Sequence, residues 1–275
     1  MKFRAGIAAL FAAILPFAPP AAAQKTYEPQ FGQAGKDVIW VPTPDEVVDR
    51  MLRMAQVGPG DLVYDLGAGD GRIAIAAAKK FGARSVGIEY NPDMAKYAQG
   101  NVEKAGLTGK TRIIHGDIFA TDFSQATVIT LYLLPALNLK LRPQILSMHP
   151  GTRVVSHSFD MDDWKPDETS VMDGTRAYFW VVPANVNGGW TLESGGNRAD
   201  IAFDQRFQNI EGVIDLGRAQ GGLRDAKLSG VNIRFAYVDS GAVRRDYTGR
   251  VAAGRMEGSF RADNGSEGRW TATKK

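Results

Sequence analysis

No cysteine occurs among the 275 residues. Disulfides, thiolate metal sites and cysteine nucleophiles are therefore excluded. The absence suits an oxidising compartment without requiring one. Histidine is nearly as scarce. His115, His149 and His157 are the three present, and no two stand at the i, i+4 spacing of paired metal ligands, so no metal site is expected. Positive charge is not concentrated either. The formal net charge of +3 is the balance of 33 basic and 30 acidic side chains. There is no dense Lys/Arg run, and "VRRDYTGRVAAGR" spreads its arginines along strand-like segments. A nucleic-acid partner lacks electrostatic support. Beyond the first 25 residues there is no apolar run of the roughly 18 residues that a membrane-crossing helix needs.

The N-terminus has the layout of a secretory signal peptide. "MKFR" gives a positive start through Lys2 and Arg4, "AGIAALFAAILPFAPP" is a short apolar core, and "AAAQ" offers small residues before Gln24. Cleavage after Ala23 is expected, with an uncleaved anchor as the alternative. Export follows, to the periplasm or beyond. Losing residues 1–23 removes Lys2 and Arg4 and leaves a nearly neutral chain.

Residues 24–40 read as an irregular leader. "TPDEVVDRMLRMAQVGPG" then predicts a helix with Thr43 as N-cap, Pro44 at the first helical position and Glu46 three residues after the cap. Val47, Val48, Met51, Leu52 and Ala55 form its apolar face. Strands then alternate with helices from "DLVYDLG" to "TRVVSHSF", which implies a mostly parallel sheet with right-handed crossovers. "TSVMDGTRAYFWVVPA" adds two strand-like runs around Asp173-Gly174, a hairpin signal. The fold class is α/β over residues 41–185, with the parallel sheet ending in an antiparallel hairpin. After "ANVNGG" the helical period disappears. Val231, Ile233, Phe235 and Tyr237 alternate, as do Ile201, Phe203 and Phe207. Residues 188–275 are expected to form a small antiparallel all-β domain, a barrel or a sandwich, with Trp190 and Trp270 paired across a closing seam.

The stretch that carries chemistry is "VYDLGAGDGRI", a buried strand running through a glycine turn into a helix. A dinucleotide fingerprint needs G-x-G-x-x-G, whereas Gly67, Gly69 and Gly71 are spaced one residue shorter. A phosphate loop ends in G-K-S/T, whereas Gly71 is followed by Arg72. Asp65 stands two positions before the first glycine, where a carboxylate repels a diphosphate and suits a cation. S-adenosylmethionine carries an ammonium and a sulfonium and no phosphate, so the electrostatics favour it. Glu89 ends the second strand about 20 residues after the turn, where a carboxylate accepts ribose hydroxyls. Asp117 ends the third strand, where it could accept from an adenine amino group. The alternatives are that Glu89 caps the helix starting near Pro92 and that Asp117 is a turn residue.

This constellation resembles the class I S-adenosylmethionine-dependent methyltransferases over about residues 38–184. More narrowly, "WVPTPDEVVDRML", "YDLGAGDGRIAIAAAKKFGA", "GIEYNP" and "TLYLLPALNLKLRPQI" are similar to the protein-lysine methyltransferase family whose mitochondrial members modify ATP synthase and the adenine nucleotide translocase. The resemblance implies that Asp65, the Gly67, Ala68 and Gly69 turn and Glu89 hold the methionine part and ribose of the cofactor. It also implies that Asp117 holds the adenine and that Thr43 lies over the cofactor. An export signal and an extra β-domain depart from that family's mitochondrial members.

Methyl transfer from a sulfonium is an in-line displacement, and orientation alone is worth about 7–11 kcal/mol. "LYLLP" follows the fourth strand, where this fold places its acceptor. Tyr132 and the backbone carbonyls around Leu133 are expected to accept from an incoming amine; otherwise they are pocket wall. His157 reads as a structural or hydrogen-bonding residue rather than a base. The acidic "DMDDWKPDE" could attract a lysine-bearing substrate, or is a solvated loop. The resulting expectation is a methyltransferase acting on a protein lysine. A small-molecule acceptor, and an exported non-catalytic protein that uses the fold as a scaffold for a ligand-binding β-domain, are the alternatives.

Overall fold

The computed structural model describes residues 27–217 and 219–275. The expected export signal, residues 1–23, lies outside the described residues. Helix α1 (Asp45–Met54) starts one residue later than its sequence pattern suggests. Pro44, at φ −57° and ψ 146°, is the N-cap, and its carbonyl accepts from the Val47 and Val48 N–H groups at 3.0 Å. Thr43 does not cap. A residue preceding proline is pushed away from helical geometry, and its hydroxyl is engaged by His157. Asp45 and Glu46 complement the helix N-terminus instead. The expected apolar face is buried throughout.

The alternation that follows is β1 (Leu62–Leu66), α2 (Arg72–Phe81), β2 (Arg84–Glu89), α3 (Pro92–Lys104), β3 (Thr111–His115), β4 (Val128–Leu131), α4 (Pro135–Leu146), β5 (Arg153–His157), β6 (Glu168–Met172) and β7 (Thr175–Val181). They form one seven-stranded sheet in the order β3-β2-β1-β4-β5-β7-β6. The first five strands are parallel, and β7 runs antiparallel to β5. Central strands covered on both faces must be apolar at successive positions. Val63, Leu66, Ile88, Val128, Ile129, Leu131, Val154 and Val155 are accordingly closed to solvent. Helices α1 and α2 pack on one face against Val63, Val128 and Val155. Helix α4 covers the other through Leu141 and Ile145. Asp173 and Gly174, at φ 48° and 78°, make the two-residue turn between β6 and β7. Strand order reverses between β1 and β4, which opens a crevice at their carboxyl ends.

The second sheet has nine antiparallel strands: β8 (Gly188–Ser194), β9 (Asn197–Arg206), β10 (Asn209–Asp215), β11 (Gln220–Gly222), β12 (Arg224–Ser229), β13 (Asn232–Val238), β14 (Arg244–Ala252), β15 (Arg255–Ala262) and β16 (Glu267–Lys274). Their order is β11-β10-β9-β8-β16-β15-β14-β13-β12. The Leu223 N–H donates to the Gly212 carbonyl at 2.8 Å, drawing the two edges together. The sheet thus curls into a nearly closed barrel filled by Trp190, Phe203, Phe235, Tyr247, Phe260 and Trp270. The seam between β8 and β16 exists, but the two tryptophans lie at opposite ends of it, Trp190 facing Lys274 and Trp270 facing Ser194. Phe207 does not continue the alternation of β9. Strand β9 stops at Arg206, and Phe207, at φ 56°, turns out to stack on Trp164 of the first sheet's β5–β6 connection, with centroids 6.1 Å apart.

Candidate active site at the carboxyl edge of the parallel sheet

Thr43, Asp65, Gly67, Ala68, Gly69, Glu89, Asp117, Tyr132 and Leu133 all line one cavity of about 330 Å³. Such a volume suits a small ligand. The cavity sits outside the ends of β1, β2, β3 and β4. Strand β1 delivers Asp65 and then breaks into the glycine turn. Gly67 and Gly69 adopt φ 86° and 54°. A Cβ on Gly69 would stand 2.6 Å from Trp40 Nε1, and one on Gly67 3.1 Å from Leu133 Cδ2. The turn therefore needs glycine both for its backbone conformation and for close approach.

Asp65 is 2% exposed. Its Oδ1 accepts from the Thr130 hydroxyl at 2.7 Å, while its buried Oδ2 has no partner among the described residues. Burial pushes its pKa up to about 7, with the nearby Asp70 and Glu89 carboxylates adding to the rise. An orphaned, buried carboxylate oxygen beside a cavity is costly unless a cation arrives to use it. Glu89 Oε2 accepts from the Gly69 N–H and Oε1 from the Asn91 N–H, both at 2.9 Å, which ties the second strand to the turn. Glu89 does not cap α3: the Asn91 Oδ1 does, accepting from the Asp93 and Met94 N–H groups at 3.0 Å. Asp117 Oδ1 accepts from the Phe119 N–H at 2.9 Å, and its Oδ2 accepts from Lys36 Nζ at 2.7 Å. These two donors hold its carboxyl below the usual range. The donor set fits S-adenosylmethionine. It offers an unpaired buried oxygen for the ammonium, a carboxylate for the ribose, another for the adenine amino group, and Ile118, Phe119 and Leu133 as apolar wall.

Several cavity residues escape sequence reasoning. The segment read as an irregular leader folds back over the site. Gly32 N–H donates to the Trp40 carbonyl and Trp40 N–H to the Gln33 carbonyl, both at 2.9 Å. That small loop brings Lys36 and Trp40 to the cavity, with Lys36 Nζ 4.6 Å from the Tyr90 ring centroid. A tryptophan directly before "VPTP" is the one signal in the sequence that points to it. Tyr90, Phe119 and Phe159 also line the space. His157 ends β5, is 4% exposed, and shares a 3.1 Å hydrogen bond between its Nδ1 and Thr43 Oγ1. Burial lowers its pKa to about 4 and keeps it neutral. The acidic loop is largely committed within the fold. Asp163 pairs with Arg142 and Arg206, Asp167 accepts from the Val181 N–H, and Glu168 faces Arg50.

A family model described as the ANTKMT methyltransferase domain matches residues 65–168. A protein-lysine N-methyltransferase of Saccharolobus islandicus is 46% identical over 151 residues, covering 53% of this chain and 94% of that protein. The chain belongs to this methyltransferase family. A lysine N-methyltransferase of Mus musculus, named for its action on ATP synthase, is 33% identical over 132 residues, covering 48% of this chain and about half (53%) of the mouse protein. The crystal structure of an RNA methyltransferase from Salinibacter ruber with S-adenosyl-L-homocysteine is 52% identical, with a TM-score of 0.52, covering 53% of this chain and 96% of that one. The protein is an S-adenosylmethionine-dependent methyltransferase. The matched family region ends at residue 168, before the barrel begins at Gly188.

Proposed function

We propose that this methyltransferase transfers the methyl group to a lysine amine of a protein. The observation that carries the reading is the acceptor end of the cavity. Tyr132 and Leu133 follow β4 there, the Tyr132 ring lies against His157 and Phe159, and Leu133, Leu134, Leu137 and Phe159 give this end of the lining its apolar side chains. An apolar, partly closed site favours the neutral amine that a nucleophile must be. The Saccharolobus relative, matched over nearly its whole length, is named for the same acceptor class.

Bound S-adenosylmethionine supplies an electrophilic methyl carbon on a sulfonium. Asp65 Oδ2 would receive the ammonium, Glu89 the ribose hydroxyls, and Asp117, beside Lys36, the adenine amino group. The Gly67, Ala68 and Gly69 turn and Thr43 close around the rest. On the other side, the Tyr132 hydroxyl and the Leu133 carbonyl accept N–H bonds from the amine and aim its lone pair. The amine must arrive deprotonated, because only a free lone pair can take a methyl group, and the apolar acceptor end favours that neutral form. Orientation of this kind is worth about 7–11 kcal/mol.

The test offers purified full-length protein both total protein and total RNA with methyl-labelled cofactor. Label recovered as methyl-lysine after acid hydrolysis supports the reading. Label confined to RNA, the acceptor named for the Salinibacter protein, overturns it. Residues 1–23 are proposed to direct export, and fractionation of a tagged chain checks this: a purely cytosolic signal refutes it.

A further inference from the structure

We propose that His157 is a positioning residue: its ring fixes the Tyr132 ring so that the Tyr132 hydroxyl meets the acceptor amine. The inference rests on the acceptor-end reading of Tyr132 above.

The two rings face each other with centroids 3.9 Å apart and planes tilted by 33°. Phe159 adds a second contact to the same tyrosine, at 6.2 Å and 20°. Aromatic pairs at such separations prefer defined relative orientations, so a tyrosine gripped by two of them keeps one ring setting. In a regular strand residues 157 and 159 would lie on one face but too far apart to grip one ring. The chain solves this with a three-residue turn. Phe159 N–H donates to the His157 carbonyl at 2.8 Å, and Ser158 takes φ 62°. This is the tight turn in which a non-glycine residue is strained.

Its neighbours hold the turn in place. Ser156 Oγ donates to the Phe159 carbonyl at 2.6 Å, and Asn138 Nδ2, wholly buried on α4, donates to the Phe159 and Asp160 carbonyls at 3.3 and 3.2 Å. Helix α4 starts just after Tyr132, so the helix that follows the tyrosine also anchors the turn that grips it. His157 itself is fixed by Thr43, whose carbonyl in turn accepts from Arg72 Nη1 at 2.9 Å. Arg72 opens α2 directly after the glycine turn. The imidazole thus links the acceptor side to the cofactor side through side chains that are already placed. Held neutral by burial, it carries no imidazolium proton to act as an acid near neutral pH and acts through its shape.

The experiment compares His157→Phe, which keeps a ring, with His157→Gln, which keeps a hydrogen-bonding group and loses the ring. Tyr132 is observed directly by nuclear magnetic resonance of ring-labelled tyrosine in the full chain with cofactor bound. Its signal is assigned by its loss in Tyr132→Phe. His157→Phe should keep a single, ring-shifted Tyr132 signal; His157→Gln should lose the shift and average the ring. Cofactor affinity should stay within about threefold in both. Methyl transfer to protein should fall at least tenfold in kcat in His157→Gln and recover to within about threefold in His157→Phe, with the wild-type pH profile retained. A Tyr132 signal unmoved in His157→Gln, or recovery by Gln and not Phe, overturns the inference. If Tyr132→Phe itself transfers methyl groups at the wild-type rate, the acceptor-end reading falls instead, which separates the two failures.

Discussion

Asp65 is a carboxylate placed where water cannot reach it and left one hydrogen bond short. The consequence is a pH dependence whose sign follows from its raised pKa. In the ligand-free protein the group titrates near 7, against an ordinary value of 3.8. The ammonium of the cofactor binds the carboxylate form, so below about pH 7 binding must expel a proton. We expect affinity for S-adenosylmethionine to fall towards tenfold per pH unit below that point, with net proton release seen by calorimetry in buffers of different ionisation enthalpy; a flat profile from pH 5.5 to 8 contradicts this. Folding stability of the ligand-free form runs the other way. A raised carboxyl pKa gives a contribution fully present below about pH 4 and lost as pH rises through 7. Asp65→Asn should therefore raise the melting temperature of the free protein at pH 8 while abolishing cofactor binding.

Among the elements, the glycine turn and the arm above it form one unit, because the space over Gly69 is filled by the Trp40 indole. In Gly69→Ala the added methyl meets that indole at 2.6 Å on a backbone already at φ 54°. The arm must lift. The expected result is loss of cofactor binding, an altered Trp40 emission and ~1–2 kcal/mol of lost stability by chemical denaturation; unchanged emission and affinity would show that the arm does not depend on the turn. Sequence reasoning reaches the turn and misses the arm for a physical reason. Asp65, Gly67, Gly69 and Glu89 announce themselves by local spacing, each carboxylate standing at or near the end of a mostly apolar strand. Residues 27–40 have no period, and Lys36 reaches Asp117 only through tertiary folding, 81 residues away. The N-cap of α1 escapes local rules for the same reason. The competing partner of Thr43 is His157, 114 residues distant, and no local rule contains it. Phe207 shares parity with Ile201 and Phe203, but a turn at φ 56° sends it to another core.

At the level of the whole molecule, the barrel is fastened to the catalytic sheet. Phe207 stacks on Trp164, Gln208 Nε2 donates to the Lys165 carbonyl at 2.6 Å, and Asp163 bridges Arg142 of α4 and Arg206 of β9. The ion pairs are partly exposed and contribute little; the Phe207–Trp164 stack is the joint's aromatic contact, beside the turn at Gly230 packed on Gly151 and Val181. Phe207→Ala should cost about 1–3 kcal/mol, below the range for a fully buried phenylalanine because this one is only half-buried. Differential scanning calorimetry should then separate one cooperative transition into two. A single unshifted transition would mean the two units are joined by something else.

Strand β16, last in the chain, does not sit at an edge. It is inserted between β8 and β15 in the middle of the nine-stranded sheet. Until it is made, β8–β11 and β12–β15 have no hydrogen-bonded bridge through the seam, and the apolar faces that will become the barrel interior stand open. Pairing β8 with β16 joins segments some 80 residues apart, as in Trp190 opposite Lys274, and contacts this remote are slow to form because loop closure must come first. During synthesis on the ribosome, the catalytic half has all of its strands in hand while the barrel still waits for its final segment to emerge. Barrel closure is thus the later of the two assembly steps, and the interval before it leaves the apolar barrel faces open to neighbouring chains.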